Sequence, residues 1–161
     1  MIEKEVNLKI NDYNGLVNYL NNLGVANKTR VAFHYFNKKD SGFFTRIEEK
    51  QDGLFITLKS LINKDEPVKI RKEITTQIYD LEAFIDIFQS MGMMYSGRKS
   101  KIRTEYIIDD LIIDLDDWYT EKFDEFIESR LEIEGTNVEK ILGFADKIKG
   151  FASITTEDLK K

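Results

Sequence analysis

The chain has 161 residues, of which 42% are hydrophobic and 33% charged, so we expect one globular domain over residues 1–161 with a sizeable core. The net charge is -5 without a long block of either sign, which argues against a nucleic-acid partner. The absence of cysteine excludes disulfides, thiolate metal sites and cysteine nucleophiles. Neither a membrane-spanning apolar run nor a signal-peptide pattern is found, so a cytoplasmic protein without a membrane partner is expected.

The first half of the chain shows the alternation typical of β-strands, interrupted by one helix. A strand is predicted over Ile2–Ile10. Asp12 is a good helix N-cap, apolar residues follow at helical spacing, and Gly24 ends the pattern. Further strands are predicted over Lys28–Asn37, Phe43–Lys50 and Leu54–Leu61, with a turn at Lys38–Gly42 and an Asp-Gly hairpin at Asp52-Gly53.

The second half repeats this scheme. Pro67, the only proline, opens a strand, and Asp80 caps a helix that ends at Gly92. The remaining predictions are strands over Met94–Ile108 and Leu111–Tyr119, an acidic connection over Thr120–Glu125, a strand within Arg130–Gly135 and a helix over Val138–Ile148. Eight strands with helices after the first, fifth and last predict an α+β domain of antiparallel hairpins.

Two predicted strands carry pairs of acids on one face. Glu3 and Glu5 share a face of the first strand, and Glu132 and Glu134 share a face of the last, because side chains two residues apart in a strand point the same way. Like charges at this spacing repel one another. Either bulk water separates them, or a divalent cation is held by their oxygens.

The strands between these two carry basic residues on their polar faces. In an open sheet such residues form a solvated surface, whereas in a closed sheet they line a lumen. Cations crowded in a lumen favour a polyanionic ligand such as a triphosphate, and the lack of a Gly-rich phosphate loop leaves its binding to side chains. The basic residues are Arg30, Arg46, Lys59, Lys69, Arg71, Lys101 and Arg103.

Seven short motifs resemble, in order and spacing, those of the CYTH or triphosphate tunnel metalloenzyme family. They are Glu3-x-Glu5, His34-Tyr35-Phe36-Asn37, Thr45-Arg46-Ile47, Ile56-Thr57-Leu58-Lys59, Lys101-x-Arg103-x-x-Tyr106, Ile113-Asp114-Leu115-Asp116 and Leu131-Glu132-Ile133-Glu134-Gly135. The resemblance implies a closed eight-stranded antiparallel β-barrel, or tunnel, with helices packed outside. It also implies a triphosphate-containing small molecule and Mg²⁺ or Mn²⁺ as ligands, in a monomer or homodimer. The family includes class IV adenylate cyclases, thiamine triphosphatases and inorganic triphosphatases.

The resemblance also implies roles for individual residues. Glu5, Lys59 and Arg103 are the expected catalytic residues. Metal ligands are expected at Glu3, Glu5, Glu132 and Glu134, with Asp114 or Asp116 assisting, and phosphate contacts at Lys9, Arg30, Arg46, Lys59, Arg71, Lys101 and Arg103.

Two positions depart from the family pattern. Asn7 stands where the family has a lysine, and Glu48 stands where it has a second arginine. Lys9, two residues beyond Asn7, is expected to take over part of the lysine's role. A metal-dependent hydrolase is the favoured function, and a class IV cyclase and a non-catalytic triphosphate or nucleotide binder are the alternatives.

Three residues outside the motif roles complete the predictions. His34, the only histidine, is expected to be structural. Trp118 and Tyr119 are expected to pack beneath a helix, with an exposed partner surface as the alternative.

Overall fold

The computed structural model describes residues 2–37, 42–63 and 67–155. Residues 38–41 of the predicted turn at Lys38–Gly42 therefore lie outside the described residues. In chain order the elements are β1 (Ile2–Ile10), α1 (Tyr13–Leu23), β2 (Ala26–Asn37), β3 (Phe43–Lys50), β4 (Gly53–Leu61), β5 (Lys69–Ile78), α2 (Leu81–Ser90), β6 (Met94–Ile108), β7 (Leu111–Tyr119), β8 (Phe126–Glu134), α3 (Val138–Lys147) and β9 (Ala152–Ile154).

Strands β1 to β8 form a closed antiparallel barrel, as predicted. Their order around the barrel is β5-β4-β3-β2-β6-β7-β8-β1, and β1 closes it by pairing with β5. Closure depends on β1 having partners on both edges: Glu5 lies opposite Glu134 of β8 and opposite Lys69 of β5. A closed barrel has no free edge strands, so the polar faces of its strands enclose a common interior.

The ninth strand was not predicted. β9 pairs with Leu8–Ile10 of β1, beyond the point where β5 leaves that edge. Three residues are too few to show an alternating pattern, so the sequence gives no signal for it. Other differences are confined to element ends: β5 begins at Lys69 rather than Pro67, and β8 begins at Phe126.

The hydrophobic core lies outside the barrel wall, under the helices. One cluster packs Val6 and Leu8 of β1 and Ile133 of β8 against α1 and α3, and Leu16 and Ile141 are completely buried there. A smaller cluster packs β2 and β3 against α2. Because alternate residues of each strand point outward into these cores, the polar residues between them point into the lumen.

Side-chain caps fix where the three helices begin. Asp12 accepts a hydrogen bond from the Gly15 amide at 3.0 Å, and Asp80 accepts one from Ala83 at 2.9 Å. Asn137 caps α3 in the same way. Such caps satisfy amides that have no partner within the helix. None of these helices, within the part of the chain described, has the length and apolar character needed to cross a bilayer.

Candidate active site

The barrel encloses a cavity of about 1070 Å³ that the polar strand faces line. This volume slightly exceeds the usual range for small-molecule sites. The strand parity expected for most of the candidate residues is therefore confirmed. The predicted residues that line the cavity include Glu3, Glu5, Arg46, Lys59, Arg71, Lys101, Arg103, Asp116, Glu132 and Glu134.

Acidic side chains of three neighbouring strands meet in the lumen as two triads. Glu3, Glu5 and Glu134 form one triad, and Asp114, Glu132 and Glu134 form the other. Within each triad, carboxylate oxygens lie within 4.8 Å of one another, and Glu134 belongs to both. Strand register produces this arrangement, since Glu134 lies opposite Glu5 and Asp114 lies opposite Glu132.

Burial and mutual repulsion make this acidic cluster hold protons. Burial, followed by the charge of Glu132, raises the pKa of Glu134 to about 8. Burial also raises the pKa of Asp114 to about 7, against the opposing effect of the Arg103 charge. Near neutral pH, part of the acidic cluster is therefore protonated.

The pKa values of Glu5 and Glu132 shift in opposite directions. Burial and the neighbouring Glu132 raise the pKa of Glu5, whereas a hydrogen bond from Glu5 and the charge of Arg103 lower the pKa of Glu132 against its own burial. A proton consequently resides on Glu5. Without that proton, the buried Glu5 Oε2 has no hydrogen-bond partner among the described residues.

The donor atoms of the two triads suit a hard divalent cation. Asp114 Oδ1, like Glu5 Oε2, is buried and has no hydrogen-bond partner within the described part of the chain. A buried carboxylate oxygen without a partner is costly, and an oxygen-coordinated cation relieves that cost. Mg²⁺ and Mn²⁺ prefer such oxygen ligands, so the residues present fit either ion.

Basic side chains reach the triads from both sides of the lumen. From β4, Lys59 Nζ lies 2.9 Å from Glu3 and 2.9 Å from Glu73, and Arg71 of β5 is paired with Glu5. These contacts are strong because the groups are largely removed from water. Lys59 and Arg71 thus hold one triad without a bound ligand.

Arg103 of β6 occupies the corresponding position beside the second triad. Its guanidinium contacts Asp116 at 2.7 Å and Glu132 at 3.4 Å and is paired with Asp114. Lys101 Nζ lies 2.6 Å from Asp116. Asp116 belongs to neither triad, and Lys101 and Arg103 contact both of its carboxylate oxygens.

The two departures from the family pattern both lie in the lumen. Glu48 contacts Arg46 at 2.6 Å and Lys50 at 2.8 Å, so it neutralises the cation predicted to bind phosphate. Asn7 donates a hydrogen bond to Glu5 Oε1 at 3.4 Å and lies opposite Glu132. Asn7 therefore contacts a triad directly.

Two predicted phosphate contacts are exposed rather than buried in the lumen. Lys9 is exposed at the end of β1, opposite Arg130, and is not among the residues that line the cavity. Arg30 is among the residues that line the cavity, but it is exposed, lies opposite Ile102, and its guanidinium lies 5.6 Å from the Phe123 ring. Arg30 has the opposite parity to Phe33 and Tyr35 of β2, so it borders the cavity without the inward orientation that alternation gives those two side chains.

The sequence analysis did not predict several of the residues that line the cavity. Trp118, expected to pack beneath a helix, instead lines the cavity opposite Lys101, and Phe33 lines it from β2. Phe33 and Trp118 point to the same face of the sheet as lumenal residues of their neighbouring strands. Strand alternation could therefore have identified them. Lys50 and Glu73 were missed in the same way.

His34 has a different setting on the outside of the barrel. Its Nε2 lies 2.7 Å from Glu49, and its Nδ1 lies 3.1 Å from the Tyr95 hydroxyl. His34 is buried, and both ring nitrogens have partners. These contacts agree with the structural role predicted for it.

Fold and site together define a closed antiparallel tunnel in which a carboxylate cluster adjoins a group of cations. No model of a known protein family matches the chain. A Methanocaldococcus jannaschii protein named as a candidate adenylate cyclase is 32% identical over 144 residues, covering 85% of this chain and 81% of that protein. The chain belongs to the CYTH, or triphosphate tunnel metalloenzyme, family.

Solved structures share the fold at lower sequence identity. A conserved hypothetical protein from Pyrococcus furiosus superposes with a TM-score of 0.75 and 20% identity, covering 97% of this chain and 93% of that one. A Hippeastrum protein, described as a candidate adenylyl cyclase with a dominant triphosphatase activity, gives a TM-score of 0.69 at 16% identity, covering 96% and 91%. At these identities the likeness supports the fold alone.

Proposed function

We propose that the protein is a metal-dependent hydrolase of a triphosphate bound in the tunnel. The observation that carries this proposal is the pair of carboxylate triads that share Glu134, with Lys59 and Arg71 on one side and Arg103 on the other. Groups that can bind cations and groups that can bind anions therefore face the same cavity. This combination suits a substrate whose negative charge is bound partly by metal and partly by protein cations.

The triads would hold Mg²⁺ or Mn²⁺ through Glu3, Glu5, Glu134, Glu132 and Asp114. When bound, the ion polarises phosphate oxygens and offsets charge that develops on them. Both triads use Glu134, so this residue is expected to matter most for metal affinity.

Binding requires the lumenal ion pairs to exchange partners. Lys59, Arg71 and Arg103 are paired with triad carboxylates, so they become available to phosphate oxygens when those carboxylates turn to a cation. Metal and triphosphate should therefore each increase the affinity for the other. Lys101, buried with Arg103 beside Asp116, adds positive charge where the phosphate chain would lie.

Hydrolysis needs charge stabilisation and a proton acceptor. Arg103 and Lys59 would stabilise the charge that spreads over the transferred phosphoryl group. A lumenal carboxylate would accept a proton from the attacking water: Glu132, whose pKa is lowered, is ionised and can do so, whereas Glu5, whose pKa is raised, would first have to lose its own proton. The water's oxygen forms the new bond to phosphorus as the bond to the leaving phosphate breaks.

The test is phosphate release from tripolyphosphate, thiamine triphosphate and ATP, each with Mg²⁺ or Mn²⁺, with cyclic AMP measured in the same ATP reactions. Arg103→Ala should abolish turnover, whereas Lys28→Ala, an exposed residue of β2, should leave it unchanged. The absence of metal-dependent phosphate release from all three substrates would refute the hydrolase. Equal effects of the two variants would refute the assignment of the lumen as the site.

Cyclisation of ATP is the second candidate function. Its specific support is the 32% identity to a relative named as a candidate adenylate cyclase. In that reaction a ribose hydroxyl attacks the α-phosphorus, so the product is cyclic AMP and pyrophosphate rather than free phosphate. A third outcome, binding without turnover, would fit the loss of positive charge at Asn7 and Glu48.

A further inference from the structure

Three aromatic side chains form a continuous wall in the lumen. The Phe33 ring lies 5.5 Å from the Trp118 ring and 5.9 Å from the Tyr35 ring, centre to centre. All three line the cavity, and none belongs to the hydrophobic clusters that pack the described helices against the barrel. The aromatic wall, meaning Phe33, Tyr35 and Trp118, is therefore part of the binding cavity.

The wall directly adjoins the cations. Lys101 Nζ lies 5.1 Å from the Phe33 ring centre and 5.2 Å from that of Trp118, while Arg46 Cζ lies 4.9 Å from Phe33. Lys101 also contacts Asp116, as described above. A ligand whose phosphates contact Lys101 thus has its attached group next to the wall.

Strand β7 shows the order of the three sections of the lumen. Asp114 belongs to a metal triad, Asp116 holds the cations and Trp118 belongs to the wall. Successive lumenal positions on a strand are about 7 Å apart. Metal ligands, cations and aromatic rings therefore follow one another along the tunnel.

The chemistry of the wall favours an uncharged ring. Lys101 and Arg46 lie over the aromatic faces, so a positively charged ring would meet like charges there. The indole Nε1 of Trp118 is buried and has no hydrogen-bond partner among the described residues. It can donate to a ring nitrogen or carbonyl of a ligand.

We propose that Phe33, Tyr35 and Trp118 form a subsite for an uncharged, planar, nitrogen-containing ring joined to the triphosphate, as in a nucleoside triphosphate. This assignment rests on the proposed function, because the triphosphate fixes which part of the ligand reaches the wall. The subsite selects nucleoside triphosphates over tripolyphosphate, which has no ring, and over thiamine triphosphate, whose thiazolium ring is cationic.

Trp118 is the only tryptophan, so its fluorescence reports directly on the wall. With Mg²⁺ present, a β,γ-imido analogue of ATP should change this fluorescence on binding, and tripolyphosphate should bind without a comparable change. Calorimetry measures both affinities independently. Trp118→Leu should weaken the ATP analogue roughly tenfold, the scale of one stacking contact, and leave tripolyphosphate within about twofold.

Three further variants separate the possible explanations. Trp118→Phe keeps a ring and loses the N–H donor, so its affinity for the analogue should lie between those of wild type and Trp118→Leu. Phe33→Leu provides a second test if Trp118→Leu fails to fold. Tyr119→Leu, on the outer face of the same strand, should change neither affinity.

The outcomes distinguish this inference from the proposed function. If neither ligand binds, both are overturned. If both bind and the wall variants weaken them equally, the wall only positions Lys101 and the subsite is overturned. Tighter binding of thiamine triphosphate than of the ATP analogue, measured by competition, would overturn the preference for an uncharged ring.

Discussion

Glu134 offers the most direct test of the acidic cluster, because it belongs to both triads. The usual glutamate pKa is 4.5, and burial next to Glu132 raises that of Glu134 to about 8. Between these values the folded state holds a proton that the unfolded state has lost. The stabilisation is complete below about pH 4.5 and disappears as the pH rises through about 8.

The size of the effect follows from this proton. One proton held only by the folded state changes the free energy of unfolding by about 1.4 kcal/mol per pH unit. Since the Glu134 pKa is about 8, the loss between pH 6 and pH 8 is about 2 kcal/mol. Asp114, with a pKa of about 7, changes stability in the same direction.

Glu134→Gln should remove the part of the pH dependence that Glu134 contributes. Between pH 6 and pH 8, the free energy of unfolding should fall by about 2 kcal/mol more in wild type than in the variant. Urea unfolding of chelator-treated protein measures both values. Glu128→Gln, an exposed residue of the same strand paired with Arg130, is the matched control. Wild-type stability that is constant or rises from pH 6 to pH 8, or the same slope in Glu134→Gln, would refute the reasoning.

The remaining predictions concern the metal and the two unusual lumenal residues. Saturating Mn²⁺, at about 100 times its dissociation constant, should stabilise wild type by about 2.7 kcal/mol in thermal melts and leave Glu132→Gln/Glu134→Gln unshifted; equal shifts would contradict the metal site. Asn7→Lys at saturating metal should raise triphosphatase turnover roughly tenfold, the value of one added charge-assisted contact in the transition state, whereas Asn7→Gln should not. Unchanged or reduced turnover in a folded Asn7→Lys would count against the hydrolase. Glu48→Arg should tighten tripolyphosphate binding in calorimetry, because it frees Arg46 from its carboxylate partner; weaker binding would show that Glu48 holds Arg46 in place.

Much of the site was predictable because strand parity is a local property. Glu3, Glu5, Glu132 and Glu134 were assigned to polar faces from alternation alone, and those faces line the cavity. Arg30 departs from this rule: its parity differs from that of Phe33 and Tyr35 on the same strand and it is exposed opposite Ile102, although it borders the cavity. A one-residue difference in parity reverses the face on which a strand side chain lies.

The sequence did not predict which cation each lumenal carboxylate contacts. Asp114 and Asp116 have the same parity and the same chemistry, yet Asp114 joins a carboxylate triad and Asp116 is held by Lys101 and Arg103. Strand tilt and register across the closed barrel decide which cation each carboxylate meets. Neither quantity is encoded in the alternation of a single strand.

The sequence by itself determined most of the elements, because caps, glycine stops and alternation act over a few residues: β1, β6 and β7 have the predicted bounds, and Asp12 and Asp80 cap their helices as predicted. Only the tertiary structure decided that Glu134 is shared by two triads and that Trp118 packs against Phe33 in the lumen. These features depend on contacts between strands distant in sequence, formed when β1 pairs with β5 and β8. Closure brings the repelling acids together, and the energy of packing β1 into the barrel wall and its outer core offsets that repulsion.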